Sequence, residues 1–257
     1  MSFAAVINAL ALPAETRVEQ RVPKKLLVEN GAPTGSDKRQ INDGIEEILW
    51  QAALKPANLG VPAYRDAVRE YLEIAILTVT FRPDVKTARL VELIHRAIPY
   101  PVLLISSLGQ TGTDGNTVSV SVAHKRWSQG ESGQVVIEEL RATEPFRTES
   151  PTAEETQFLA RLSVGSLPQT NLFALYQSWL DSVLALEAAQ ITGAFRPVAS
   201  ENSAALREQL DGRAQALRDL AVLRAQAEKE TQLNRRVEIN LAIKKLDARI
   251  AEFAQNL

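Results

Sequence analysis

From residue 213 to residue 257 the chain holds neither glycine nor proline, and strong helix formers fill most positions. Ala, Leu, Glu, Lys, Gln and Arg fit a helix at little cost, so this stretch has hardly any choice but to be helical. Propensity alone holds a helix only marginally in water, and one this long needs a partner for its apolar stripe. The tail therefore speaks for assembly. Its front part carries Leu206, Leu210, Leu217 and Leu220. Its last part carries Ile239, Ile243, Leu246, Ile250, Phe253 and Leu257 at alternating steps of four and three, the spacing of a coiled-coil seam. Between them, residues 228–236 offer only Leu233 as an apolar anchor. The tail is thus either one helix whose seam shifts register or two helices folded back as a hairpin. The absence of any turn signal favours one helix, roughly 80 Å long from Ser203 at 1.5 Å per residue. Ile239, Ile243, Leu246, Ile250 and Phe253 are its expected partner interface, to another protein or to a second copy.

The rest of the chain is long enough for one globular domain beside that extension, since domains commonly run to roughly 100–200 residues. A composition of 45% hydrophobic and 23% charged residues disfavours disordered and membrane classes. A net charge of -2 provides no cationic field over the whole molecule, so any contact with nucleic acid must come from local patches. With no cysteine and only His95 and His124, disulfides, thiolate nucleophiles, Cys-ligated zinc and a His-rich metal cage are excluded. A carboxylate site for magnesium stays open, although no metal and no cofactor is expected. The first ten residues lack the basic lead and long apolar run of a signal peptide and read as a short docking helix. No apolar run approaches the roughly 20 residues of a membrane helix, and a cytoplasmic location is expected.

Three regions follow: an α/β domain over residues 1–145, a helical segment over 146–200, and the long helix or helical hairpin over 201–257. Residues 16–35 mix charges with Pro23, Gly31, Pro33 and Gly35 and read as an extended arm or long loop. A helix over 37–47 follows, carrying Ile41 and Ile45 and capped by Ser36 or Asp37. Leu49-Trp50-Gln51-Ala52-Ala53-Leu54 reads as a strand. Residues 71–81 are almost continuously apolar and β-branched, as in a strand covered on both faces at the sheet centre. A helix with Leu90, Val91, Ile94 and Ala97 on one stripe, with Asp84 as cap, then leads to the strand Pro101-Val102-Leu103-Leu104-Ile105, a parallel crossover unit. Asp114-Gly115 signals a turn, and Thr117-Val118-Ser119-Val120-Ser121-Val122 alternates as a strand with one wet face. After a second turn over 128–133, residues 134–140 complete an antiparallel meander. The sheet is mixed, of about five strands with flanking helices, and the class is α/β (α+β). Thr152-Ala153-Glu154-Glu155 is a capping box, and residues 170–190 form a second secure helix with Leu172, Leu175, Tyr176 and Trp179 on its core face.

Chemistry-bearing patterns are few. Pro83-Asp84-Val85-Lys86 has the acid and lysine of many DNA-cleaving enzymes, with Glu73 as a further carboxylate for magnesium. Both Asp84 and Lys86 lie past a strand end, however, where the ordinary role of Asp84 is a helix cap. His124-Lys125-Arg126-Trp127 is the densest cationic and aromatic cluster; such residues hold phosphate by charge and a base by stacking. Alternation splits it between two faces, so its ordinary reading is a strand end with Trp127 on the core. Lys24-Lys25 and Lys38-Arg39 are further basic pairs that, with Lys125 and Arg126, would line a basic strip if they met in space. Gly109, Gly112 and Gly115 lack the strand-to-helix context and the lysine of a phosphate cradle. His95 is expected on its helix's polar rim.

Arg21-Val22-Pro23-Lys24-Lys25-Leu26-Leu27-Val28-Glu29-Asn30-Gly31-Ala32-Pro33-Thr34, Asp37-Lys38-Arg39, Ala123-His124-Lys125-Arg126-Trp127, Asn171-Leu172-Phe173-Ala174-Leu175-Tyr176-Gln177 and Leu233-Asn234-Arg235-Arg236-Val237-Glu238 together resemble an uncharacterised bacterial family. This is the domain of unknown function numbered four-three-nine-one, and the likeness spans nearly the whole chain. The resemblance implies a place beside helicases and DNA methyltransferases in restriction-like and other phage-defence gene clusters. It carries no catalytic residues over. The expectation is a non-enzymatic accessory subunit of a DNA-defence or restriction-modification-like system. Its partners would be DNA, through Lys24, Lys25, Lys38, Arg39, Lys125, Arg126 and Trp127, and a helicase or methyltransferase subunit. The alternatives are a metal-dependent nuclease using Asp84, Lys86 and Glu73, and a purely structural oligomer.

Overall fold

The computed structural model describes residues 3–108, 117–130 and 134–257. The expected Asp114-Gly115 turn, Gly109 and Gly112, Met1 and Ser2 of the expected docking helix and positions 131–133 of the expected second turn lie outside the described residues. The chain divides into two compact units, Met1–Val183 and Leu184–Leu257.

In the first unit the elements run α1 (Ala4–Leu10), β1 (Arg17–Arg21), α2 (Lys24–Gly31), α3 (Gly35–Gly44), β2 (Ile45–Leu54), α4 (Pro56–Leu59), β3 (Tyr64–Arg65), β4 (Glu70–Tyr71), β5 (Ile74–Phe81), α5 (Thr87–Ala97), β6 (Val102–Leu108), β7 (Thr117–Trp127), β8 (Val135–Ala142), β9 (Phe146–Arg147), α6 (Ala153–Ala160) and α7 (Leu172–Thr192), the last running on past the unit boundary. Among the described residues the main sheet has seven strands in the order β1-β2-β5-β6-β7-β8, with β9 also on β7. Among the described residues only β5 and β6 pair in parallel. Crossover, meander and mixed sheet thus stand as expected, and the sheet is wider by the edge strand β1 and the short β9. Residues 71–81 are not one strand: Tyr71 ends β4, which pairs with β3 in a separate two-stranded sheet, and Glu73 lies just before β5.

Residues 16–35 are no loose arm. β1 pairs with β2, and α2 lies on α5 so closely that a Cβ on Gly31 would stand 2.6 Å from the Leu93 carbonyl oxygen. Only glycine allows that approach. α3 is capped by neither Ser36 nor Asp37. Thr34 precedes it and accepts the Asp37 N–H at 3.1 Å. Asp37 is instead buried, accepting from Thr34 Oγ1 at 2.7 Å and from Arg89 Nε of α5 at 2.9 Å. Ile45, Ile48, Leu77, Val79, Phe81, Leu90, Ile94 and Leu104 fill the core between these helices and the sheet, each contributing about 1.5–3 kcal/mol by burial.

β7 has no wet face. Val118, Val120 and Val122 are buried on one side, and on the other Ser121 lies under α5 with its hydroxyl 3.0 Å from His95 Nε2. His95, expected on a polar rim, is fully buried, and its imidazole pKa falls well below the ordinary value through burial and the nearby Lys125. The capping box forms as read: Thr152 accepts the Glu155 N–H, and Glu155 accepts the Thr152 N–H at 2.8 Å. On α7, Tyr176 and Trp179 are core residues. The Tyr176 hydroxyl accepts the Ala123 N–H at 2.7 Å and donates to the Val102 carbonyl at 2.6 Å.

In the second unit the tail is two helices, α8 (Ser203–Lys229) and α9 (Leu233–Gln255), and not the single one that the lack of Gly and Pro favours. A side chain spans the break: the Glu230 carboxylate accepts the Gln232 N–H at 2.8 Å. The chain then folds back, with Arg224 3.4 Å from Asp247 and Phe253 packed on Gly212. The seam expected to meet a partner is half-buried in this hairpin at Ile239, Ile243, Leu246, Ile250 and Phe253, while Leu210, Ala216 and Leu220 are buried on α8.

Candidate functional site

A tight turn between β3 and β4 begins the site. Asp66 Oδ1 accepts the N–H groups of Val68 and Arg69, both at 2.7 Å, and Tyr64 donates to Oδ2 at 2.8 Å. These bonds, the Arg69 amide foremost, hold the Asp66 carboxyl below its usual range. The turn is fastened to the sheet, because the Trp127 N–H at the end of β7 donates to the Val68 carbonyl at 2.8 Å. Arg69 then lies 5.4 Å over the Phe173 ring and 3.1 Å from Glu138.

Between this turn, residues 99–101 and the end of β7 opens a cavity of about 190 Å³, whose lining includes Arg69, Glu70, Tyr100, Lys125, Arg126 and Trp127. Alternation along β7 would split Lys125, Arg126 and Trp127 between faces, but the cavity lies at the end of that strand and its lining takes in residues of both. All three reach the cavity.

They do so with different tasks. Lys125 is 5% exposed, and its ammonium donates to the Ile98 and Tyr100 carbonyls, both at 2.5 Å. Burial pushes its pKa down to about 7. Lys125 therefore pins the turn after α5, and its expected contact with phosphate is blocked by those two carbonyls. Among the described residues the Arg126 guanidinium donates to the Trp127 carbonyl alone, at 3.2 Å, which leaves the rest of it for another group.

His124 turns inward. Its Nε2 lies 2.8 Å from Gln177 Oε1, which can only accept, so Nε2 carries the proton and Nδ1 accepts from the Tyr71 hydroxyl. Gln177 Nε2 in turn donates to Asp181 at 2.7 Å. This polarised chain ties β4, β7 and α7 together beneath the cavity, and burial raises the Tyr71 hydroxyl well above its ordinary pKa.

The other expected residues lie elsewhere. Lys24 donates to the Asn42 carbonyl at 3.0 Å near Arg21 and Arg82; burial and those two cations lower its pKa. Lys25 stands 3.7 Å from Glu29, and Lys38 and Arg39 are exposed on α3. Lys24 belongs to the Phe81 end of β5 and the cavity to the Ile74 end, roughly 25 Å apart over eight residues at about 3.3 Å each. The basic pairs therefore form no single strip. Asp84 does not cap α5: it takes a left-handed backbone, φ 61°, and Lys86 holds the cap position without a side-chain bond. Glu73 sits at the opposite end of β5, 3.1 Å from Lys55. Asp84, Lys86 and Glu73 are thus not brought together, and among the described residues no group of three His, Asp or Glu side chains could share a metal ion.

Sequence reasoning passed over Arg69 and Tyr100. Their signals are faint: an Asp66 three positions before an arginine, and a tyrosine between prolines. No helix among the described residues is long and apolar enough to cross a membrane. No curated protein and no solved structure matches the chain. The family described as Domain of unknown function (DUF4391) matches residues 10–250, nearly the whole length, and the chain belongs to that family.

Proposed function

We propose that the protein is a non-enzymatic accessory subunit of a bacterial DNA-defence or restriction-modification-like system, which contacts nucleic acid and works beside a helicase or DNA methyltransferase. The observation that carries the nucleic-acid part is the cavity lining, where the Arg126 guanidinium stands with Tyr100 and Trp127. Guanidinium groups hold phosphates, and aromatic faces take bases or sugars. A chain with net charge -2 has to make such contacts at a local patch. The company of a helicase or methyltransferase rests on the family resemblance. The surface offered to that partner is the outer side of α9, where Leu233, Val237 and Leu241 are at least half exposed at helical spacing.

The test is DNA affinity of the full chain against salt concentration. Phosphate contacts give a steep loss, and Arg126→Ala makes the slope shallower by about one unit. A flat slope rejects the nucleic-acid reading. Co-purification under native expression tests the partner: a helicase or methyltransferase is recovered with the wild type and lost with Val237→Asp, and recovery of neither enzyme rejects that part.

A further inference from the structure

The cavity beside Trp127 combines features that a mere phosphate patch would not need. Its volume of about 190 Å³ is below the roughly 300–1,000 Å³ of pockets for drug-sized ligands, a space for a single planar ring system. Its apolar walls are Tyr100, 39% exposed and set between Pro99 and Pro101, together with Leu72, Trp127 and Val135. Tyr100 is held in place, since the Lys125 ammonium fixes its carbonyl and its ring rests on Trp50 at 6.5 Å between centroids.

The charges around these walls are not equivalent. Arg69 is engaged by Glu138 and lies over the Phe173 ring, and Lys125 is engaged by two carbonyls. Arg126 is left with one backbone acceptor. Glu70 is held only loosely, 3.8 Å from Arg65, and its carboxylate accepts hydrogen bonds. The site therefore offers stacking for one ring, one guanidinium for one anion, and one acceptor for an amino group. A base inside a duplex is stacked and paired, and it presents neither its face nor its pairing edge to such a cavity.

We propose that this cavity takes one unpaired nucleobase together with its phosphate, the ring against Trp127 and Tyr100, the phosphate on Arg126, and an exocyclic amino group on Glu70. The proposal rests on the nucleic-acid reading above and narrows it from nucleic acid in general to an unstacked base. The same chemistry is presented by a single strand and by a free nucleotide.

The experiment measures binding of the full chain to a labelled single-stranded 15-mer, to a closed hairpin duplex without free ends, and to mononucleotides, with tryptophan fluorescence read alongside. The expected result is binding of the single strand at least about tenfold tighter than the duplex, with quenching of the indole. Stacking on an aromatic side chain is worth about 1–3 kcal/mol per base, so Trp127→Ala loses roughly 5- to 150-fold. Trp127→Phe keeps most of the affinity, which separates loss of stacking from loss of fold. Glu70→Gln weakens binding of cytosine-containing strands more than of thymine-containing ones, because only cytosine donates from an exocyclic amine. Quenching by mononucleotides with the same Trp127 and Arg126 dependence, without strand binding, supports the cavity's chemistry with a free nucleotide as its source. Equal affinity for strand and duplex, or strand binding indifferent to Trp127→Ala, overturns the base-in-cavity proposal while nucleic-acid binding elsewhere survives. Binding of neither polymer nor mononucleotide overturns both readings.

Discussion

Phe253 of α9 lies against Gly212 of α8 so closely that a Cβ on the glycine would stand 2.6 Å from Cζ of the ring. The Arg249 guanidinium lies over the same ring, 5.3 Å from its centroid. Phe253→Ala should cost roughly 1–2 kcal/mol, less than the 3–5 kcal/mol of a fully buried phenylalanine. Gly212→Leu should displace the ring and do similar damage. Loss of helical circular dichroism on heating checks both. The shift should not depend on protein concentration, because the contact is within one chain; a concentration-dependent shift would restore the seam to an intermolecular role.

Asp37 gives a stability that acid removes. Arg89 Nε and the Thr34 hydroxyl hold its carboxyl down to about 2, below the ordinary value near 4. Since the folded pKa is depressed, the contribution is complete above about pH 4 and is lost as pH falls toward 2. Asp37→Asn should lower the urea midpoint at pH 7, and the gap to wild type should close by pH 2.

Lys125 works in the opposite window. Its folded pKa is about 7 against an ordinary 10.5, so between those values the unfolded chain binds a proton that the folded chain does not. Stability therefore rises as pH increases from 7. Lys125→Met should lack that rise, and urea midpoints at pH 6.5 and pH 9 should show the wild type gaining on the variant.

Tyr176 joins α7 to two strands with a single hydroxyl. Tyr176→Phe leaves the buried Ala123 N–H without its acceptor and the Val102 carbonyl without its donor. An unsatisfied buried group costs about 1–3 kcal/mol, and chemical denaturation of the first unit should register a loss of that size.

Asp66→Ala should loosen the β3–β4 turn and leave the sheet intact. Hydrogen exchange at Val68 and Arg69 should accelerate at least about tenfold, with little change in overall unfolding. An unchanged rate would mean that the Val68 carbonyl bond to Trp127 suffices to hold the turn.

The elements that were legible carry redundant local signals. Pro101-Val102-Leu103-Leu104-Ile105 could hardly be anything but a buried strand, and Thr152 with Glu155 announced a helix start by its own hydrogen bonds. β7 misled because a serine reads as a solvent-facing residue, whereas Ser121 reaches His95 and Ser119 donates to the Thr143 carbonyl at 2.7 Å. A small hydroxyl satisfied inside the fold leaves no trace in an alternating pattern. The hairpin break was hidden because Glu230 closes it with its side chain, and no glycine or proline had to be written there. Of the cavity, Lys125, Arg126 and Trp127 were legible as a cluster, but their separate tasks depend on the carbonyls of residues 98 and 100, which local sequence does not place beside Lys125.

Because Arg69, Tyr100, Arg126 and Trp127 come from separate stretches of chain, their mouth exists only once β4, the end of α5 and β7 are all in place. An unfolded or half-folded chain has no such site. Any ligand that binds there acts as a thermodynamic clamp on the whole first unit, adding about 2.7 kcal/mol at a hundredfold excess over its Kd, so a melting curve can find the ligand before any activity is known.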